Sequence, residues 1–127
     1  MKNTYGKQEK LKSKKIIDLL FEEGKSVKAF PLRMVFIESS LPYEDIAIQC
    51  GVSVAKRNHK LAVTRNQLKR LMREAYRINK TKIDTKGITF AVLILYTSRD
   101  VLSFEEINKA MVKLLKRFQD EISTPSL

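Results

Sequence analysis

The chain reads as one α+β domain, and three observations say so. Ile46 to Val54 alternates, with Ile46, Ile48, Cys50, Val52 and Val54 on one face and Ala47, Gln49, Gly51 and Ser53 on the other. That period of two marks a half-buried strand. Ile88 to Tyr96 is apolar almost throughout, as expected of a central strand covered on both faces. Before and after this second strand, apolar residues recur at helical spacing, and 127 residues suit a single core.

Taken in order, residues 1–10 are polar and basic (Lys2, Lys7, Lys10) and read as a flexible arm. Lys12 to Glu23 reads as a helix: Ile16, Ile17 and Leu20 share a face, and Gly24 supplies the stop. Leu32 to Glu38 reads as a strand, followed by a turn built from Ser39, Ser40, Pro42, Glu44 and Asp45. With Ile46 to Val54 it is expected to form an antiparallel hairpin. A helix then spans about Leu61 to Asn79. It begins either at a capping box of Thr64 and Gln67 or earlier, with Leu61 and Val63 already helical. Lys80 to Gly87 is a polar connection to the strand Ile88 to Tyr96. Ser103 with Glu106 forms a capping box opening a last helix, with Ile107, Met111, Leu114, Leu115, Phe118 and Ile122 on one side. Residues 123–127, with Pro125, form a frayed tail. The order is α-β-β-α-β-α in a single domain spanning 1–127. The unit from Ile46 to Tyr96 is a strand-helix-strand crossover, which ordinarily makes its strands parallel and its hand right.

Charge narrows the function. Lys plus Arg number 25 against 14 acids, a formal net charge of +11, which favours a polyanionic partner. The basic side chains are concentrated. On the helix around Thr64 to Arg77, residues Leu68, Leu71, Met72, Ala75 and Ile78 fall within an arc of about 120°. Asn66, Lys69, Arg70, Arg73, Arg77 and Lys80 occupy an opposite arc of about 100°. A merely solvated face mixes signs, whereas here the one acid, Glu74, sits at the edge of the basic arc. Tyr76 lies at the boundary, with its ring placed to pack and its hydroxyl to stay wet. Lys56-Arg57-Asn58-His59-Lys60 adds a second basic cluster just upstream. No run is long and apolar enough for a transmembrane helix, and the basic N-terminus lacks a signal-peptide core. Cys50 is the single cysteine, so no internal disulfide forms. The expectation is a cytoplasmic protein with a nucleic-acid partner and no membrane partner.

The residue types for catalysis are present but not gathered. Glu22 and Glu23 end a helix, Glu44 and Asp45 sit in a turn, and Glu105 and Glu106 favour a helix N-terminus by charge alone. His59 stands among Lys56, Arg57 and Lys60 without a carboxylate to orient it, which suits a phosphate or solvent contact. Cys50 alternates with core residues and reads as a small buried group. No Gly-rich phosphate loop and no zinc-ligand spacing occurs. No catalytic residue, metal site or small-molecule substrate is assigned.

The stretch Ser53-Val54-Ala55-Lys56-Arg57, followed by Arg65-Asn66-Gln67-Leu68-Lys69-Arg70-Leu71-Met72-Arg73, resembles the signature of the bacterial ribonuclease P protein family. That family carries a small-Val-small-Lys-Lys/Arg loop and then Arg-Asn-Arg-x-Lys-Arg-x-x-Arg on the next helix. The similarity is strongest from about Ile46 to Arg77 and weaker over the first helix and the late strand and helix. Gln67 departs from the pattern, standing where the family carries its second Arg.

The resemblance implies a two-layer sandwich whose basic helix packs on a mixed sheet, with the rare left-handed β-α-β crossover. It implies a protein subunit of a tRNA-processing endonuclease whose RNA subunit holds the catalytic Mg²⁺ and hydrolyses the phosphodiester at the 5′ end of mature tRNA. The polypeptide alone is then inactive. Lys56, Arg57, Arg65, Asn66, Lys69, Arg70 and Arg73 are the residues it assigns to the catalytic RNA. A cleft between the first helix and the sheet is implied to hold the single-stranded 5′ leader of precursor tRNA. Single strands stack on aromatic platforms. Phe21 matches one family aromatic, Ile17 stands where another is common, and Val35 stands where some members carry a strand aromatic. Phe36 or Phe30 is the substitute platform, and Phe21 itself is open to a plain core role. Two other readings compete. A general RNA-binding or ribosomal-type protein without an enzymatic partner gives no reason for loop and helix spacing together. A DNA-binding helix lacks the preceding helix of a helix-turn-helix.

Overall fold

The computed structural model describes residues 5–43 and 45–123. Its elements are α1 (Lys14–Glu23), β1 (Lys25–Ala29), β2 (Leu32–Glu38), β3 (Ile48–Val54), α2 (Ala62–Asn79), β4 (Phe90–Tyr96) and α3 (Phe104–Ser123). Single 3₁₀ turns add Lys7–Glu9 and Lys80–Lys82. The α+β class, the mixed sheet and the predicted order stand, with β1 added between the first helix and the Leu32 strand.

The sheet runs β1-β2-β4-β3. β2 pairs antiparallel with β4 and β3 pairs parallel with it, as a β-α-β connection between neighbours requires. The expected hairpin of β2 with β3 is therefore corrected: β4 lies between them. The reason is burial, since Phe90, Ala91, Val92, Leu93 and Ile94 are all buried and only the middle of a sheet covers both faces of a strand. The hairpin partner of β2 is β1, in register Lys25↔Phe36 to Ala29↔Leu32, closed by the cis Phe30–Pro31 peptide.

Each sheet face has its own core. On one, Leu32, Met34 and Phe36 of β2 and Phe90, Val92 and Ile94 of β4 meet Leu68, Met72 and Ala75 of α2 and Ile107, Met111, Leu114 and Phe118 of α3. Phe118 packs edge-on to Phe36 at 4.8 Å and to Phe90 at 5.5 Å between centroids. On the other face Val35, Ala91 and Leu93 meet Leu11 and Leu20, flanked by Ile16 and Ile17. The sandwich of sheet and paired helices thus carries α1 as a short extra layer.

Local chemistry sets the element ends. Ser13 caps α1, its Oγ accepting from the Ile16 amide at 3.3 Å. α1 ends at Gly24, where an added Cβ would stand 2.4 Å from the Leu20 carbonyl oxygen and 2.7 Å from Val35 Cγ1. Gly24 acts by allowing this close approach. Ser103 caps α3, accepting from the Glu106 amide at 3.2 Å. α2 starts at Ala62, so Leu61 and Val63 flank its true beginning and Thr64 lies inside the first turn. The Thr64–Gln67 box is not its cap.

Four further expectations are corrected. Within the proposed arm, residues 5–10 are packed: Tyr5 donates its hydroxyl to the Cys50 carbonyl, and Leu11 N–H bonds the same oxygen at 3.1 Å. Residues 1–4, Glu44 of the turn, and 124–127 of the tail lie outside the described residues. Tyr76 is buried whole, edge-on to Tyr5 at 5.5 Å, and its hydroxyl is not wet. Ile78 is 39% exposed while Asn79 is buried in its place, bonded to the Ala75 carbonyl and Asn108. The Lys80–Gly87 connection, read as polar, buries Lys80, Ile83 and Thr85.

Candidate nucleic-acid interface

The tight turn after β3 lifts Lys56 and Arg57 into solvent, held by the Asn58 and His59 amides donating to the Ala55 carbonyl at 3.2 Å each. Arg65, four residues into α2, reaches back. Its Nη1 donates to the His59 and Lys60 carbonyls, both at 2.8 Å. The guanidinium therefore joins the basic loop to the basic helix, beyond any phosphate contact it makes with its remaining N–H groups. Asn66, Gln67, Arg70 and Arg73 are exposed and Lys69 is half-buried.

Two cations of the predicted arc are occupied elsewhere. Arg77 Nε donates to Glu74 Oε2 at 3.1 Å, and this bond holds the Glu74 carboxyl below its usual range. Lys80 is fully buried and paired with Glu9. His59 is corrected as well. It is buried, with Nε2 2.8 Å from the Ser98 carbonyl and its ring 5.7 Å from that of Tyr96, so it braces the loop on the end of β4 and meets neither phosphate nor solvent. Cys50 is fully buried as read, and burial pushes its thiol well above the usual range.

A cleft of about 360 Å³ opens between α1 and the sheet. Ile17 and Phe21 form its α1 wall, Gly51, Ser53 and Leu93 its floor, and Lys10, Lys12 and Arg73 its cationic rim. Phe21 is 58% exposed, which decides its role: it is no core side chain. The other two cleft candidates fail. Val35 is buried beneath α1 against Gly24. Phe36 is on the opposite sheet face with Phe90 and Phe118, because strand neighbours point to opposite sides. Phe30 is exposed, but at the β1–β2 turn. Tyr5, Lys10 and Lys12 line the cleft and were missed. The sequence signal is a tyrosine amid the lysines where the segment read as a flexible arm, residues 1–10, runs into the helix expected from Lys12.

Among the described residues no three or more His, Cys, Asp or Glu side chains gather where they could hold a metal ion. No helix among them is long and apolar enough to cross a membrane.

Fold and face together define an α+β protein whose exposed helix and cleft rim are predominantly cationic. A sequence profile described as Ribonuclease P matches residues 5–119. The ribonuclease P protein component of Porphyromonas gingivalis is 33% identical over 133 aligned positions, covering 98% of this chain and 94% of that one. The solved ribonuclease P protein of Thermotoga maritima superposes with a TM-score of 0.69 at 28% identity, over 86% of this chain and 96% of that. The Staphylococcus aureus ribonuclease P protein shares the fold, with a TM-score of 0.70 over 89% of this chain and 97% of that. The chain belongs to the ribonuclease P protein family. It is accordingly the protein part of a ribonucleoprotein of tRNA processing, with an RNA partner.

Proposed function

We propose that the chain is the non-catalytic subunit of its ribonucleoprotein, docking on the catalytic RNA and holding the 5′ leader of precursor tRNA. Lys56, Arg57, Arg65, Asn66, Lys69, Arg70 and Arg73 meet the phosphates of the catalytic RNA. Ile17 and Phe21 wall the leader cleft. Mg²⁺ belongs to the RNA subunit; the protein supplies positive field where substrate and catalyst phosphates crowd together. The compartment is the cytoplasm, a reading supported by the single, buried thiol. The observation that carries the proposal is the double position of Arg73. It stands on the exposed row of α2 and also rims the α1 cleft, so one side chain serves both RNA surfaces. Mixing the purified protein with its cognate catalytic RNA at low Mg²⁺ tests this. Precursor-tRNA cleavage should return with the complete particle and be absent with protein alone. Cleavage by rigorously RNA-free protein would place the chemistry on the polypeptide and end the proposal.

A further inference from the structure

The α1 face of the sheet carries a row of residues that begins at the cleft and ends in two cations the cleft does not include. The register aligns Lys28 with Arg33, Arg33 with Leu95, and Leu95 with Ser53. These four therefore form one line across all four strands, about 14 Å long at the usual strand spacing. Its face is settled by its members. Leu95 packs with the α1-side core, Ser53 lines the cleft, and Arg33 shares the side of Val35 by alternation. α1 crosses above the neighbouring line of the sheet: Leu11, just before it, adjoins Gly51 of β3, and Gly24, at its end, abuts Val35 of β2. Phe21 lies late on α1, toward the Gly24 end over β2, and the line from Ser53 through Leu95 to Arg33 runs alongside α1.

Arg33 is unusual in this setting. It is half-buried, and its Nε is the one buried side-chain nitrogen or oxygen among the described residues without a hydrogen-bond partner. That atom is closed to solvent, so its missing bond is a cost, which falls when the half-buried side chain turns its guanidinium outward to an acceptor at the surface. Lys28, on the adjacent edge strand, is exposed beside it. A planar, permanently charged fork next to an ammonium, one strand beyond Leu95, suits a phosphodiester oxygen.

We propose that the leader cleft continues past Phe21 across β4 and β2 and ends in a second phosphate subsite on Arg33 and Lys28. This rests on the leader-binding reading and extends it: Arg73 and Arg33 would grip the strand at opposite ends of the groove, with the apolar wall between them. The subsite adds affinity only to leaders long enough to cross the sheet.

The test uses the assembled particle and precursor tRNAs with leaders lengthened one nucleotide at a time. For the unmodified particle, affinity should rise with length and then level. Arg33→Gln should level at a shorter leader, bind the longest leaders about tenfold more weakly, and reduce the logarithmic salt slope by about 0.7. Affinities for mature tRNA and the shortest leaders should not change. Arg33→Lys should retain the salt slope, and Lys28→Gln should reproduce part of the loss with its fold untouched, which covers the case in which Arg33→Gln folds poorly. Identical length profiles for the unmodified particle, Arg33→Gln and Lys28→Gln would overturn the subsite. A flat profile in the unmodified particle would instead overturn leader binding itself.

Discussion

Lys80 and Glu9, 71 positions apart, form an ion pair whose lysine side chain is wholly buried and whose carboxylate is 14% exposed. The pair fastens the N-terminal segment to the end of α2 and so holds Tyr5 against Tyr76 at the cleft. Removing one partner leaves a buried charge alone, so Lys80→Met or Glu9→Gln should cost about 3–5 kcal/mol. The double replacement Glu9→Leu with Lys80→Met should recover most of it. Urea unfolding of the three variants measures this, and equal losses for single and double variants would contradict it.

Alkaline pH should destabilise the fold through groups in the same region. Burial raises the pKa of Cys50, Tyr5 and Tyr76 above the ordinary values of 9.0 for the thiol and 10.0 for the phenols. Above those values the unfolded chain loses protons that the folded one keeps. Stability is therefore complete below about pH 9 and falls as pH rises, by about 1.4 kcal/mol per pH unit for each group. Melting temperatures from pH 8 to 11 should show the decline, and Tyr5→Phe should make it shallower.

Arg65 should prove to be more than a charge. Arg65→Lys keeps the cation but loses the planar fork that spans the His59 and Lys60 carbonyls. Amide exchange at Asn58 and His59 should quicken in this variant, with about 1 kcal/mol of stability lost, while the salt slope of RNA binding is retained. Lys69→Ala or Arg70→Ala should do the reverse, lowering the slope and leaving the loop protected. Unchanged exchange in Arg65→Lys would show that the two carbonyl bonds add nothing.

Phe21 and Phe36 should separate cleanly. Phe21→Ala removes a largely exposed ring, so the melt should barely move, while the preference for leader-bearing over mature tRNA drops by about 1–3 kcal/mol where a base stacks. Phe36→Ala opens the core against Phe118 and should cost about 3–5 kcal/mol of stability. A normal leader preference with Phe21→Ala would remove that ring from the binding surface.

Periodicity locates the three helices and β3, because each repeats its apolar positions often enough to declare a period, while β2 and β4 show as short apolar runs bounded by turns. β1 was invisible. It has five residues, only Ala29 is buried, and it begins directly after the helix stop at Gly24. The wrong β2–β3 hairpin came from preferring the nearest partner in sequence. The doubly apolar run of β4 already demanded a neighbour on each side, and β2 and β3 were the candidates. Helical angle puts Lys80 on the basic arc, yet the side chain is buried on Glu9, because angle carries no information about a carboxylate 71 residues away. The exposed loop and helix cations were legible because charge on a regular helix stays where its period puts it. The cleft was less so: its wall, floor and rim come from segments scattered between Tyr5 and Leu93.

The position of β4 also governs how the molecule comes into being. It is the last strand in the chain yet lies between β2 and β3, so neither has its central partner until residue 96 has been made. The emerging polypeptide can close only the β1–β2 turn by local pairing; the parallel join to β3 spans the whole of α2 and comes late. The cleft floor at Leu93 and the support beneath the cationic helix thus arrive in one step. A nascent chain displays its lysines and arginines early, but it has no groove to offer an RNA strand until the sheet closes around its final member.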